Sequence, residues 1–127
     1  MKKVLVGVLS ASLLLTGGAM TYAGTAWQNN ISVYVPNHNG PGGNTKYQTK
    51  ATSSAQAGLR LHATQGVKLD VRTKGTNGAA TWKRDVKGGN TYALSSVTVS
   101  GNQERLEFSS GILEKNNVNA ILDWRSN

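Results

Sequence analysis

Apolar and polar residues alternate along most of the chain in short runs, each broken by glycine, asparagine or serine. Ile31, Val33 and Val35 alternate with Ser32 and Tyr34, and Leu59 and Leu61 with Arg60 and His62. Val67, Leu69 and Val71 alternate in the same way with Lys68, Asp70 and Arg72. A period of two puts successive side chains on opposite faces of an extended strand, which gives each run a core face and a solvent face. The short link Ala63-Thr64-Gln65-Gly66 predicts that the second and third runs close into a hairpin. Further runs cover residues 80–86 around Trp82, 92–99, 104–108 and 120–124, with a weaker, more polar one at 46–52. That pattern predicts an all-β chain of about eight short strands, an antiparallel β-sandwich or small barrel. The best helical candidate, residues 112–118, is short and interrupted by the turn-forming pair Asn116-Asn117.

The N-terminus breaks the pattern. Lys2 and Lys3 precede an apolar run over residues 4–16, and the small-residue exit Thr21-Tyr22-Ala23 follows. This reads as a secretory signal peptide, residues 1–23, cleaved after Ala23, because the run falls short of the ~20 residues that span a bilayer. Leu15-Thr16-Gly17 opens like a lipoprotein signal, but Gly18 stands where the lipid-accepting cysteine belongs, and the chain has no cysteine. Residues 24–127 are then expected as one secreted, extracellular domain without a transmembrane segment or disulfides.

Charge sharpens the picture. The formal charge of +8 becomes +6 when Lys2 and Lys3 leave with the signal. Residues 60–87 hold seven cations against Asp70 and Asp85, whereas residues 88–127 are nearly balanced. A basic centre suits anionic partners such as an envelope polymer, a membrane surface or nucleic acid. A soluble domain that simply carries positive charge fits the same numbers.

Catalytic signatures are sparse. Cysteine nucleophiles are excluded, and a serine triad lacks the strained G-x-S-x-G elbow. His62 falls on the polar face of its run beside Arg60, and His38 lies among turn formers. The six carboxylates lack the alternating spacing of a calcium loop, and no histidine pair stands four residues apart, so neither a metal nor a cofactor is implied. Two carboxylates from among Asp70, Asp85, Glu104, Glu107 and Asp123 would serve a small hydrolase if the fold paired them.

Two stretches remain as candidate sites. "YVPNHNGPGGNTKY", beginning at Tyr34, departs from a phosphate-binding P-loop in three ways: Lys46 follows Thr45, Tyr47 replaces the metal-binding hydroxyl, and no helix pattern follows. It reads as a flexible crossing between strands, with Asn37, His38, Asn39 and Asn44 available for docking on a protein partner. The second stretch is "VRTKGTNGAATWKRDVK", beginning at Val71. Pairing of residues 67–73 with 80–86 would gather Arg72, Lys74, Lys83, Arg84 and Lys87 about Trp82. The cations would hold an anion while the indole supplies an apolar contact. Equally, Trp82 reads as a core residue whose charged neighbours are merely solvated. Single-stranded nucleic-acid modules present several aromatics, and Trp82 is the one available here, which makes nucleic acid the weakest of the anionic partners.

The mature start "AWQNNISVYV", the polar "TKYQTKATSSA", the late "GNQERLEF" and the terminal "ILDWRSN" together resemble a group of small secreted Gram-positive bacterial proteins catalogued as a domain of unknown function. The resemblance implies a secreted β-rich protein and lends no active-site residues. By analogy with small secreted proteins of this size it also admits a bacteriocin-like role. The function expected from the residues is non-enzymatic: a basic face that contacts an anionic cell-envelope polymer or membrane surface. The alternatives are a protein-binding or inhibitor module docking through residues 36–46, and a small carboxylate-dependent hydrolase.

Overall fold

The computed structural model describes residues 22–127, so all of the expected signal except Tyr22 and Ala23 lies outside the described residues. The strands are β1 (Tyr22–Ala23), β2 (Gln28–Val35), β3 (Gly43–Asn44), β4 (Gln48–Thr49), β5 (Ala57–Ala63), β6 (Leu69–Gly75), β7 (Gly78–Ala79), β8 (Lys83–Val86), β9 (Asn90–Leu94), β10 (Gln103–Ser109) and β11 (Val118–Arg125). There is no helix among the described residues.

The larger sheet runs β1-β4-β10-β6-β7, with β3 also on β10 and β8 also on β6; the smaller runs β2-β11-β5-β9. Every ladder is antiparallel except the two-residue β1–β4 pairing. This is the antiparallel β-sandwich that the alternation predicts. Short pieces raise the strand number: β3 and β4 share one side of β10, and β7 and β8 share one side of β6.

The core lies between the sheets. Val33, Leu59, Leu61 and Leu122 come from the smaller sheet, Leu69, Val71, Leu106 and Phe108 from the larger. Each fully buried leucine stabilises the fold by about 2 kcal/mol relative to an exposed one. β6 shows the logic most plainly, with Leu69, Val71 and Thr73 buried and Asp70, Arg72 and Lys74 turned outward.

The hairpin expected between residues 59–62 and 67–72 does not form. β5 pairs with β11 and β9 in the smaller sheet, while β6 pairs with β10, β7 and β8 in the larger one. Leu59 and Leu61 must face Leu69 and Val71 across the core, and a hairpin would instead set them side by side in one sheet. The link turns through left-handed Gln65 (φ 54°) and Gly66 (φ 79°) and crosses from one sheet to the other.

The run at 92–99 also ends early. β9 stops at Leu94, and beyond it Ser96 and Thr98 are buried while Val97 and Val99 face outward. Polar chemistry at that end of the sandwich reverses the pattern. Ser96 donates to Glu104, whose other oxygen accepts from Ser126 Oγ at 2.7 Å and lies 3.4 Å from Lys50 Nζ. Lys50 is fully buried and also donates to the carbonyls of Ser126, at 2.6 Å, and Ala55. Gln48 completes the cluster, its amide nitrogen 3.1 Å from the Trp124 carbonyl and its oxygen 2.8 Å from the Ser126 amide. Burial lowers the Lys50 pKa more than the neighbouring Glu104 raises it. The two termini of the described domain meet nearby, where the Asn127 amide donates to the Gly24 carbonyl at 2.6 Å.

Candidate functional site

The outward face of the larger sheet is charged because β6 and β10 present their polar phases side by side. Arg105 stands opposite Lys74, and Glu107 opposite Arg72. The Glu107 carboxylate receives Arg72 Nε at 2.9 Å and Arg105 at 3.3 Å, with Lys74 Nζ 4.0 Å away. Burial would raise the Glu107 pKa, but hydrogen bonds from Arg72 and Arg105 and the charge of Lys74 hold it below the usual carboxylate range. One anion thus serves three cations, which leaves this part of the face with two surplus positive charges.

Aromatic rings flank the cluster. The Arg72 guanidinium lies 4.4 Å from the centre of the Trp82 ring, and that of Arg105 lies 5.1 Å from the Tyr47 ring. Trp82 is half-buried and stands apart from the core. Of its two sequence readings, the structure gives the surface one. The expected pairing that carries it is also present, since Val71 stands opposite Lys83 and Leu69 opposite Val86. A bulge between those pairs places Asp85 at φ 57°. Its amide donates at 3.0 Å to Asp70, which also receives Arg84 at 2.7 Å.

The glycine-rich loop, expected as a separate and rival site, forms a wall of the same one. Two adjoining clefts of about 350 Å³ each share Asn39, Trp82 and Ser109. The first is bounded by the loop from Gly40 to Asn44 and by Arg105 and Glu107, the second by Asp70, Arg84 and Ile112. The loop is tied down rather than free. The Asn37 amide donates to Asn117 Oδ1 at 2.9 Å, Asn37 Nδ2 to the Lys115 carbonyl at 3.0 Å, and the His38 amide to the Glu114 carbonyl at 2.9 Å. His38 and Asn39 both hold left-handed backbone, at φ 52° and 56°, and Ser109 Oγ bonds to Asn39 Oδ1. Asn44 enters β3 opposite Glu107. Gly43 is needed there, because a Cβ would stand 2.8 Å from the Phe108 carbonyl oxygen.

The five expected cations do not form one cluster. Arg72 and Lys74 meet at Glu107 and Arg84 joins Asp70, but Lys83 is turned toward the Tyr92 ring, 5.9 Å away, and Lys87 is exposed beyond the end of β8. In their place the fold supplies Arg105, Glu107 and Tyr47. The signal for the first two was the polar phase of "QERLEF", legible only once β10 is known to lie against β6.

The opposite face carries a second arginine–aromatic stack. Trp27 lies between Arg60 at 3.7 Å and Arg125 at 4.7 Å. Asp123 accepts the Asn30 amide at 2.8 Å and faces His62 at 3.0 Å and Arg60 at 3.7 Å. Burial would raise its pKa, but those partners hold it low. Among the described residues, no helix is long and apolar enough to cross a membrane. The chain matches no family model and no curated protein.

Proposed function

We propose that the protein is a secreted, non-enzymatic binding protein whose larger sheet presents a basic outer face to an anionic polymer of the cell envelope. The observation that carries this reading is the excess of cations at Glu107. Arg72, Lys74 and Arg105 surround a single carboxylate, and aromatic rings stack against two of them. A polyanion laid across the face gains from the uncompensated charge, while Trp82 and Tyr47 offer apolar edges to the polymer backbone. Trp82 lines both adjoining clefts, which places its ring where a bound chain would lie. The resemblance to small secreted Gram-positive proteins supports secretion and assigns no binding role.

Co-sedimentation with isolated cell walls across a salt series tests this. Binding should weaken steeply as salt rises, and the double variant R72A/W82A should bind several-fold more weakly than the parent. Binding that is absent, or indifferent to both salt and the variant, would refute it.

A further inference from the structure

Ile112 and Leu113 are the most exposed large apolar residues of the described chain, at 72% and 85%. They sit together at the tip of the β10–β11 loop, and that loop is held in place. The Glu114 amide closes a turn on the Gly111 carbonyl at 2.9 Å, the Asn116 amide donates to Glu114 Oε2 at 3.0 Å, and the bonds from Asn37 and His38 brace the loop from the side. His38 Nδ1 lies 3.2 Å from the Ile112 carbonyl. A braced loop therefore presents two adjacent aliphatic side chains to water, a paired apolar point of the kind that marks an interaction surface.

The strand register places a ring of lysines at the same pole. Leu69 opposes Val86 and Asp70 opposes Ser109, so the start of β6, the end of β8 and the end of β10 lie level. Lys68 immediately precedes β6, Lys87 immediately follows β8, and Lys115 belongs to the tip loop itself. All three are exposed, and none makes an ion pair among the described residues. This contrasts with Arg72, Lys74, Arg84 and Arg105, each of which faces a carboxylate. Arg84 shares the second cleft with Ile112 and so adds a fourth cation beside the tip.

We propose that this pole is a membrane-docking tip: Ile112 and Leu113 enter the acyl boundary of an anionic bilayer while Lys68, Lys87 and Lys115 engage its phosphate headgroups. An apolar point ringed by unpaired lysines matches a surface that is anionic outside and apolar beneath, and it matches neither a purely charged polymer nor a neutral lipid. The inference goes beyond the polymer-binding sheet face and stands on different residues.

Flotation with vesicles containing phosphatidylglycerol, run beside pure phosphatidylcholine vesicles and soluble polyphosphate, tests it. The protein should float with the anionic vesicles and not with the neutral ones. The variant I112S/L113S should lose about tenfold or more in vesicle affinity with its unfolding midpoint unchanged, because both side chains are already in water. K68Q/K115Q should weaken vesicle binding most at low salt. Equal vesicle binding by I112S/L113S and the parent would overturn the inference. An equal loss by I112S/L113S on vesicles and on polyphosphate would overturn it too, since polyphosphate has no apolar layer. Capture of a soluble protein through the tip, without vesicle binding, would do the same. Loss of polyphosphate binding in R72A/W82A alone bears on the sheet face and leaves the tip standing, so the two readings fail separately.

Discussion

Arg72 reaches two partners at once, its guanidinium stacked 4.4 Å from the Trp82 ring while its Nε donates to Glu107 at 2.9 Å. The stack links β6 to the segment leading into β8, and the ion pair links β6 to β10, so one side chain spans three rows of the larger sheet.

Removing Glu107 separates binding from folding. E107Q deletes the one anion among three cations, so affinity for an anionic polymer should rise at low salt. Stability should fall by about 1–2 kcal/mol, because three cations are left around a neutral amide. Wall binding and denaturant unfolding should therefore move in opposite directions in this variant.

The buried pair at the other pole is structural, and its loss should be severe. Lys50→Met leaves the Glu104 carboxylate dry and without its cation, at an expected cost of about 3–5 kcal/mol. The double variant K50M/E104Q should cost less than the sum of the two single changes, since they share one interaction. A urea-unfolding cycle measures both.

Acid should weaken the fold through Glu107 and Asp123, whose folded pKa values both lie below the ordinary range. Along this axis the unfolded chain takes up protons first. The stabilisation is therefore complete above the unfolded carboxylate values and is lost as pH falls through the folded ones. The urea midpoint should decline below about pH 4.5, and that decline should be shallower in E107Q and in D123N than in the parent.

Adjacent glycines of the cleft wall should respond differently to alanine. Gly43→Ala drives a Cβ to within 2.8 Å of the Phe108 carbonyl oxygen and 3.3 Å of Val35, so β3 must move, at a cost of about 1–3 kcal/mol. Gly42→Ala meets no atom within 4 Å but must hold φ at 110°, where strain alone costs about 1 kcal/mol or more. Thermal unfolding should rank them in that order. Only Gly43→Ala should also alter polymer binding, by shifting Asn44.

Alternation was enough to read the sandwich, because Leu59, Leu61, Leu69, Val71 and Leu122 each needed only the right phase to find the core. It could not assign strands to sheets. A link as short as the one from Thr64 to Lys68 serves a hairpin or a crossover equally well, and only the packing of Leu61 against the other sheet chooses. It also misjudged faces where burial is polar: Gln48, Lys50, Ser96 and Glu104 occupy inward positions that a hydrophobic pattern assigns to solvent. At the candidate site, Trp82 and its cations were visible from their own segment. Arg105, Glu107 and the loop wall were not, because strand pairing across long stretches of chain brings them there.

The bond between Gly24 and Asn127 has a practical consequence for handling the molecule. Asn127 lies just past the end of β11, whereas Ile112 and Leu113 lie just before its start, so the eight-residue strand separates them by roughly 27 Å. A bead, dye or carrier attached through residue 127 would leave from the pole opposite the lysine-ringed tip. A chip coated in that way would display every copy tip-outward, an orientation in which lipid capture can be weighed without the support blocking it.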